Sequence, residues 1–73
     1  MAPAKWHELK KGDRVKMLQG MWIGATGTVV DSGMMAMKTK HVPNPRAEQV
    51  WVQFDDYKIG MYQDIYDYQL EKI

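Results

Sequence analysis

The fold of this chain is decided by the stretch Gln49-Val50-Trp51-Val52-Gln53-Phe54. Side chains alternate along it, so that Val50, Val52 and Phe54 fall on one face of an extended strand and Trp51 falls on the other. No other segment has so clear a strand pattern. It predicts a β-sheet with one buried face, on which the neighbouring segments must pack.

The segments around this strand predict four more. In the predicted strand at residues 14–18, polar and apolar side chains alternate over residues 14–17, and residues 26–31 are rich in β-branched residues. A fourth strand is predicted over residues 61–65, and a short last strand ending at Ile73 follows a tight corner at residues 66–70. Five short antiparallel strands with frequent turns predict an all-β fold, a small barrel that closes on itself. Its predicted core is Val15, Met17, Val29, Val50, Val52, Phe54, Ile65 and Leu70.

Length and composition indicate one small domain. The chain has 73 residues and no cysteine, and its two histidines make a poor metal cage, so we expect no metal site and no cofactor. No apolar run approaches the length of a membrane span, and no signal-peptide segment follows the amino terminus. We expect a soluble, cytoplasmic protein that is monomeric or weakly self-associating, with residues 1–73 as one domain and residues 1–11 as a lead-in in which Trp6 and Leu9 cover one end of the core.

Residues 31–48 are predicted to form a long loop between the second and third strands. Two prolines, at 43 and 45, argue against a central strand there. Met34, Met35 and Met37 make the loop unusually apolar. A connection of this length in so small a domain is expected to be functional or mobile.

The first predicted hairpin resembles a known motif. Lys11-Gly12-Asp13-Arg14-Val15-Lys16-Met17, followed by Gly20, Gly24 and Gly27-Thr28-Val29-Val30, is similar to the KOW motif. That resemblance implies an SH3-like barrel that binds RNA, DNA or the proteins around them. The turn between its glycines is usually polar and basic in the family, whereas here it reads Met21-Trp22-Ile23.

Two other families share parts of the pattern. Trp22 with Gly27-Thr28-Val29, then Val52-Gln53-Phe54-Asp55 and Leu70-Glu71-Lys72-Ile73, is similar to a small barrel protein of photosystem I that docks on a larger complex. Residues 50–55 and 66–70 resemble the peptide-binding barrels of Mind bomb type ubiquitin ligases. Because three families with unrelated functions share these residues, the pattern indicates the barrel and leaves the function open.

The chain shows no catalytic motif. Asp55-Asp56 is typical of a solvated turn, and His7 and His41 have no acidic residue at a ligand-like spacing. Gly12-Asp13-Arg14-Val15 and the Leu70–Ile73 segment are similar to plasmid-type dihydrofolate reductase. That family's active-site strand reads Val-Gln-Ile-Tyr, and only Gln63 agrees at the matching residues 62–65. We therefore expect no enzymatic activity and no small-molecule substrate.

The basic residues support one function. Residues 1–46 hold eight basic and three acidic side chains, and a cluster of cations near an aromatic ring suits single-stranded nucleic acid. The predicted site is Arg14, Lys16, Lys38, Lys40, Arg46 and Trp51. Trp51 would either lie exposed, as a stacking face for a base or a hot spot for a protein, or lie covered in a second small core with Trp6 or the loop methionines. The expected partner is RNA, DNA or a nucleoprotein complex of transcription, translation or replication; the alternative for the cluster is a solvated loop.

Apolar residues support a different function. Exposed methionines are typical of adaptable protein-binding surfaces. The second predicted site is Met21, Trp22, Ile23, Met34, Met35 and Met37, acting together as one docking surface on a larger protein complex. A small viral protein that acts on a host machine would show the same pattern.

Overall fold

The computed structural model describes residues 3–39 and 46–73. Within them the elements are a 3-10 helix at Trp6–Glu8, β1 at Arg14–Met17, β2 at Thr26–Ser32, α1 at Gly33–Thr39, β3 at Gln49–Phe54, β4 at Met61–Tyr66, a second 3-10 helix at Asp67–Gln69 and β5 at Leu70–Lys72. The prediction of a mostly β fold with five antiparallel strands is confirmed. None of the helical segments in these ranges has the length and apolar character of a membrane-spanning helix.

All five strands belong to one antiparallel sheet in the order β4-β3-β2-β1-β5. The two strands at its opposite edges, β4 and β5, are consecutive in the chain and are joined by only the three residues Asp67–Gln69. Because so short a link cannot reach across a flat sheet of this width, the sheet curls until its two edges approach at that end. No ladder joins β4 to β5 among the described strands.

The inner face of the curled sheet holds the core. The eight residues predicted from strand alternation all lie in one buried cluster, as expected for side chains at alternate positions. Ala4 and Leu9 join the same cluster from the lead-in. The lead-in is tied down as well, because the Ala4 N–H donates to the Leu70 carbonyl at 2.8 Å and the Trp6 N–H donates to Asp67 Oδ2 at 2.8 Å. The amino-terminal segment is therefore part of the domain.

The predicted loop at residues 31–48 is partly regular structure, which corrects that prediction. Asp31 and Ser32 extend β2, and the methionine-rich segment forms α1, which packs against β2 and β3. The Met35 N–H donates to Ser32 Oγ at 3.3 Å, which satisfies one of the free amides at the start of the helix. Residues 40–45, with both prolines, lie outside the described residues.

Candidate functional site

The turn between β1 and β2 carries two apolar side chains into solvent. Gly20 and Gly24 take φ angles of 101° and 88°, a conformation that favours glycine, and they frame the three residues between them. Backbone hydrogen bonds at both ends hold the turn to the strands. The side chains of Met21 and Ile23 are 86% and 69% exposed. Two apolar side chains this exposed on the same three-residue turn form an apolar patch, which is a feature of interaction sites.

Trp22 supports this turn from below. Its side chain packs against the core, and its ring meets Tyr62 edge-on at a centroid distance of 4.7 Å and lies 5.8 Å from Phe54. A cavity of about 120 Å³ opens between the turn and β4, lined in part by Met21, Trp22 and Tyr62. We call Met21, Trp22, Ile23 and Tyr62 the turn surface. Trp22 anchors the turn surface to the core, and Met21, Ile23 and Tyr62 provide its exposed area.

Arg14 is already engaged by the protein. Its guanidinium donates two hydrogen bonds to the Asp55 carboxylate, one of 2.7 Å to Oδ1, and a further one to Thr28 Oγ1 at 2.9 Å. Thr26 Oγ1 donates to the same carboxylate at 2.7 Å. The Arg14 guanidinium, followed by the Thr26 hydroxyl, holds the pKa of the Asp55 carboxyl well below its usual range, and Asp55 raises the pKa of Arg14. A phosphate would have to compete with this carboxylate.

The other predicted cations are spread over the fold. Lys16 lies on β1 directly across from Glu71 of β5, and Arg46 is exposed before β3, where its carbonyl accepts from the Gln49 N–H at 3.0 Å. The backbone of Lys38 belongs to α1, but its side chain lies outside the described residues, as does the whole of Lys40. Arg14 and Lys16 share the outer face of β1. No contact in the described part of the chain joins them to Arg46.

Trp51 is covered, with only 8% of its surface exposed, so its ring presents no open face for a base. The structure has Trp51 in the covered position, and its predicted packing with Trp6 or the loop methionines stays a prediction. Trp51 lies outside the main core cluster, on a strand that α1 packs against. Both neighbouring strands are bulged beside it. The register of β2 shifts between Val29 and Asp31. The register of β4 shifts between Ile65, which pairs with Val50, and Tyr62, which pairs with Val52. Its Nε1 is buried without a hydrogen-bond partner among the described residues.

Met34 and Met35 belong to a second cavity, away from the turn surface. A groove of about 380 Å³ runs between α1 and the lead-in, with walls formed by Trp6, Leu9, Met34 and Met35 and with Lys10 and Lys11 also along it. We call it the N-terminal groove. It shares no lining residue with the turn cavity, so the predicted single docking surface is divided in two. The side chain of Met37 lies outside the described residues.

Sequence reasoning missed the residues that complete these two cavities. The adjacent pair Lys10-Lys11 was visible in the sequence, but only the fold brings it beside the methionines of α1. The edge contact of Tyr62 with Trp22 could not be read from alternation because a bulge shifts β4. Both omissions concern contacts between distant parts of the chain.

The acidic pair offers no catalytic arrangement. Asp55 is held by Arg14 and Thr26, and Asp56 Oδ1 accepts from the Lys58 N–H at 2.9 Å within the β3–β4 turn. Within residues 3–39 and 46–73, no group of three or more acidic or histidine side chains comes together as metal ligands. Comparison with known proteins finds no matching family model, curated protein or solved structure. Function must be inferred from the geometry of this chain.

Proposed function

We propose that this protein is a non-catalytic docking module that binds a larger protein complex through the turn surface. The observation that carries the proposal is the exposure of Met21 and Ile23, at 86% and 69%, on a turn that Trp22 anchors to the core. Binding is favoured when a partner removes such side chains from water, and a rigid turn loses little conformational entropy on binding. Burial of this kind concentrates binding energy in a few apolar residues.

Nucleic-acid binding is supported less well. Of the residues proposed for it, Arg14 is paired with Asp55 and Trp51 is covered. The cations that remain would supply phosphate contacts without an aromatic face for the bases, and that combination gives weak, salt-sensitive binding. RNA or DNA binding is therefore an outcome that the experiment below must distinguish.

We further propose that the sheet is an SH3-like barrel of the KOW type. The three-residue link between β4 and β5 supports a curled, barrel-like sheet. The β1–β2 hairpin, with Gly12 at a φ of 96° and its N–H bonded to the Val29 carbonyl at 2.8 Å, is compatible with the motif. On this proposal the module keeps the architecture of a nucleic-acid-associated barrel while its hairpin turn carries apolar residues.

Affinity capture with three forms of the protein tests the docking proposal. The test variant is Met21→Ser with Ile23→Ser, because both side chains are exposed and their loss spares the core. Trp22→Ala and Met35→Ala are unsuitable, since both side chains pack against the core. The matched control is Tyr57→Ser in the β3–β4 turn, where the tyrosine is 85% exposed.

We expect wild type and the Tyr57 variant to capture the same protein from lysate after nuclease treatment, and the double variant to lose it. Equal capture by all three forms would refute the turn surface as the docking site. Capture that disappears with nuclease would transfer the function to nucleic acid. Circular dichroism must show that the three proteins are equally folded.

A further inference from the structure

We propose that the N-terminal groove binds a short acidic peptide segment that inserts one large apolar side chain between Trp6 and the methionines of α1. The groove is separate from the turn surface, so this inference does not depend on the docking function proposed above. It would give the small domain a second binding site with its own specificity. The proposal rests on the shape of the groove, its lining and its charge.

The walls of the groove are fixed by the fold. Leu9 is buried in the core cluster, and the Leu9 N–H donates to the Trp6 carbonyl at 3.2 Å. The Trp6 N–H is held by Asp67 across the domain. On the opposite wall, Ser32 is buried and its hydroxyl accepts from the Met35 N–H, which sets the start of α1. A groove with walls held in this way loses little entropy when it is filled.

The size of the groove limits what it can accept. Its volume is about 380 Å³, near the lower end of the roughly 300–1,000 Å³ found for ligand sites. A single leucine, phenylalanine or tryptophan side chain with its flanking backbone is of this scale. The two methionines suit such an anchor, because their flexible thioether side chains adapt to apolar groups of different shape.

The charge around the groove selects an acidic partner. Lys10 and Lys11 are exposed, and neither forms an ion pair within the described part of the chain. None of the described lining residues is acidic. The nearby carboxylate of Asp13 accepts from the Lys10 N–H at 2.8 Å and pairs with Lys72 at 3.3 Å. Acidic residues flanking the apolar anchor would therefore meet the positive charges of Lys11 and of Lys10, the second of which Asp13 balances in part.

A peptide fits this site better than a nucleic acid does. Trp6 is half-buried, and its ring already meets His7 at right angles with a centroid distance of 5.4 Å, so less of the ring is free as a flat open face. Base stacking needs such a face. Beside the polar groups of His7, Ser32 and the two lysines, the lining contains the aliphatic and thioether groups of Leu9, Met34 and Met35, which favour an apolar side chain.

Titration of labelled peptides into the ¹⁵N-labelled full chain tests the proposal. The probe is a short peptide of aspartate and glutamate residues around one central phenylalanine. One matched peptide replaces the phenylalanine with serine, and another replaces the acidic residues with lysine. Single-stranded DNA of mixed sequence is the fourth probe. Fluorescence anisotropy gives the affinities, and amide chemical shifts locate the site.

We expect only the first peptide to bind appreciably, with shifts at Leu9, Lys10 and Met35 and none at Met21 or Ile23. Lys10→Gln with Lys11→Gln should weaken binding about tenfold, and Met34→Ala should weaken it by a similar factor. The control variant, Lys16→Gln with Lys58→Gln, removes the same number of positive charges from residues outside the groove. We expect it to change the affinity for the peptide by less than about threefold.

Several results would overturn the proposal. One is the absence of binding of the acidic phenylalanine peptide at about 1 mM. Others are equal binding of the serine peptide and chemical shift changes that are confined to the turn surface. The last such result is DNA that binds more tightly than the acidic phenylalanine peptide and whose binding is lost in the Lys10 and Lys11 variant. The location of the shifts separates failure at this groove from failure of the turn surface, because the two sites share no lining residue.

Discussion

Arg14 of β1 reaches across β2 to the carboxylate of Asp55, which follows β3, and the two side chains form a pair of parallel hydrogen bonds. Thr26 and Thr28 of the intervening strand bond to the same pair. These side-chain hydrogen bonds add to the backbone pairing of three strands at one end of the sheet, where the Asp55 N–H also donates to the Thr26 carbonyl at 3.0 Å. The residue that the sequence offered as a phosphate ligand serves as a cross-strand clamp.

This clamp predicts a pH dependence of stability. Because the folded state lowers the pKa of Asp55, the clamp stabilises the protein fully above the carboxyl's unfolded pKa of about 3.9 and loses that contribution as pH falls below it. We expect Asp55→Asn to lower the melting temperature by a constant amount from about pH 7 to pH 5. The difference should then shrink toward pH 2.

Melting curves by circular dichroism at low and high salt test this expectation. Both side chains are about half exposed, so salt should reduce the effect. Asp64→Asn on β4 is the control, because this exposed carboxylate forms no ion pair within the described residues. A difference in melting temperature between wild type and Asp55→Asn that does not change with pH would contradict the lowered pKa of Asp55.

At Gly33, helix propensity and packing predict opposite effects of an alanine substitution on stability. Alanine in a helix is favoured over glycine by about 0.5–1 kcal/mol. A Cβ at this position, however, would overlap the carbonyl group of Arg46. Because the obstacle is backbone, we expect Gly33→Ala to destabilise the protein by about 3 kcal/mol or more in urea denaturation.

A suitable comparison for this variant is Gly12→Ala. At Gly12 no atom lies within 4 Å of the added Cβ, so the cost should be limited to the positive φ of 96°, about 1–2 kcal/mol. If Gly33→Ala is neutral or stabilising, the close approach of α1 to the segment before β3 is wrong.

Trp51 predicts a large difference between two substitutions. Trp51→Ala should cost about 3–5 kcal/mol, because it empties a covered position. Trp51→Phe keeps an aromatic ring and removes the unpartnered Nε1–H, whose burial costs about 1–3 kcal/mol. We expect the phenylalanine variant to lie within about 1 kcal/mol of wild type. Equal losses in the two variants, measured as urea midpoints, would show that the indole N–H is satisfied.

The lead-in segment predicts a contrast between neighbouring residues. Leu9 is buried in the core cluster, whereas His7 is exposed. We expect Leu9→Ala to lower the free energy of unfolding by about 2–5 kcal/mol, and His7→Ala to change it by less than about 0.5 kcal/mol. Similar small effects of both substitutions would mean that the lead-in does not pack on the sheet.

The sheet was predictable from the sequence because alternation is a local property. Residues 49–54 were predicted as a strand and form β3, and Val15 and Met17 of β1 face inward as their spacing requires. The corner at residues 66–70 was also visible, and it contains the second 3-10 helix. Each of these features depends on a few neighbouring residues.

The remaining features depend on contacts between distant segments. Helix α1 is only seven residues long, and a helix this short has no stability of its own in water, so its existence depends on packing against β2 and β3. The same applies to Trp51, whose alternation predicts an outer face but gives no information about what covers it. Arg14 gives no local sign that its partner is Asp55.

The sheet order also constrains how the chain folds during synthesis. β1 pairs with β2 on one side and with β5 on the other, where Val15 lies opposite Lys72. The first hairpin can form as soon as residue 32 has left the ribosome, but one edge of β1 then stays unpaired until β5, at Leu70–Lys72, has followed. For that period the nascent protein presents an open strand edge with Arg14 and Lys16 on it. Two adjacent positive charges are a common protection against pairing with the wrong strand.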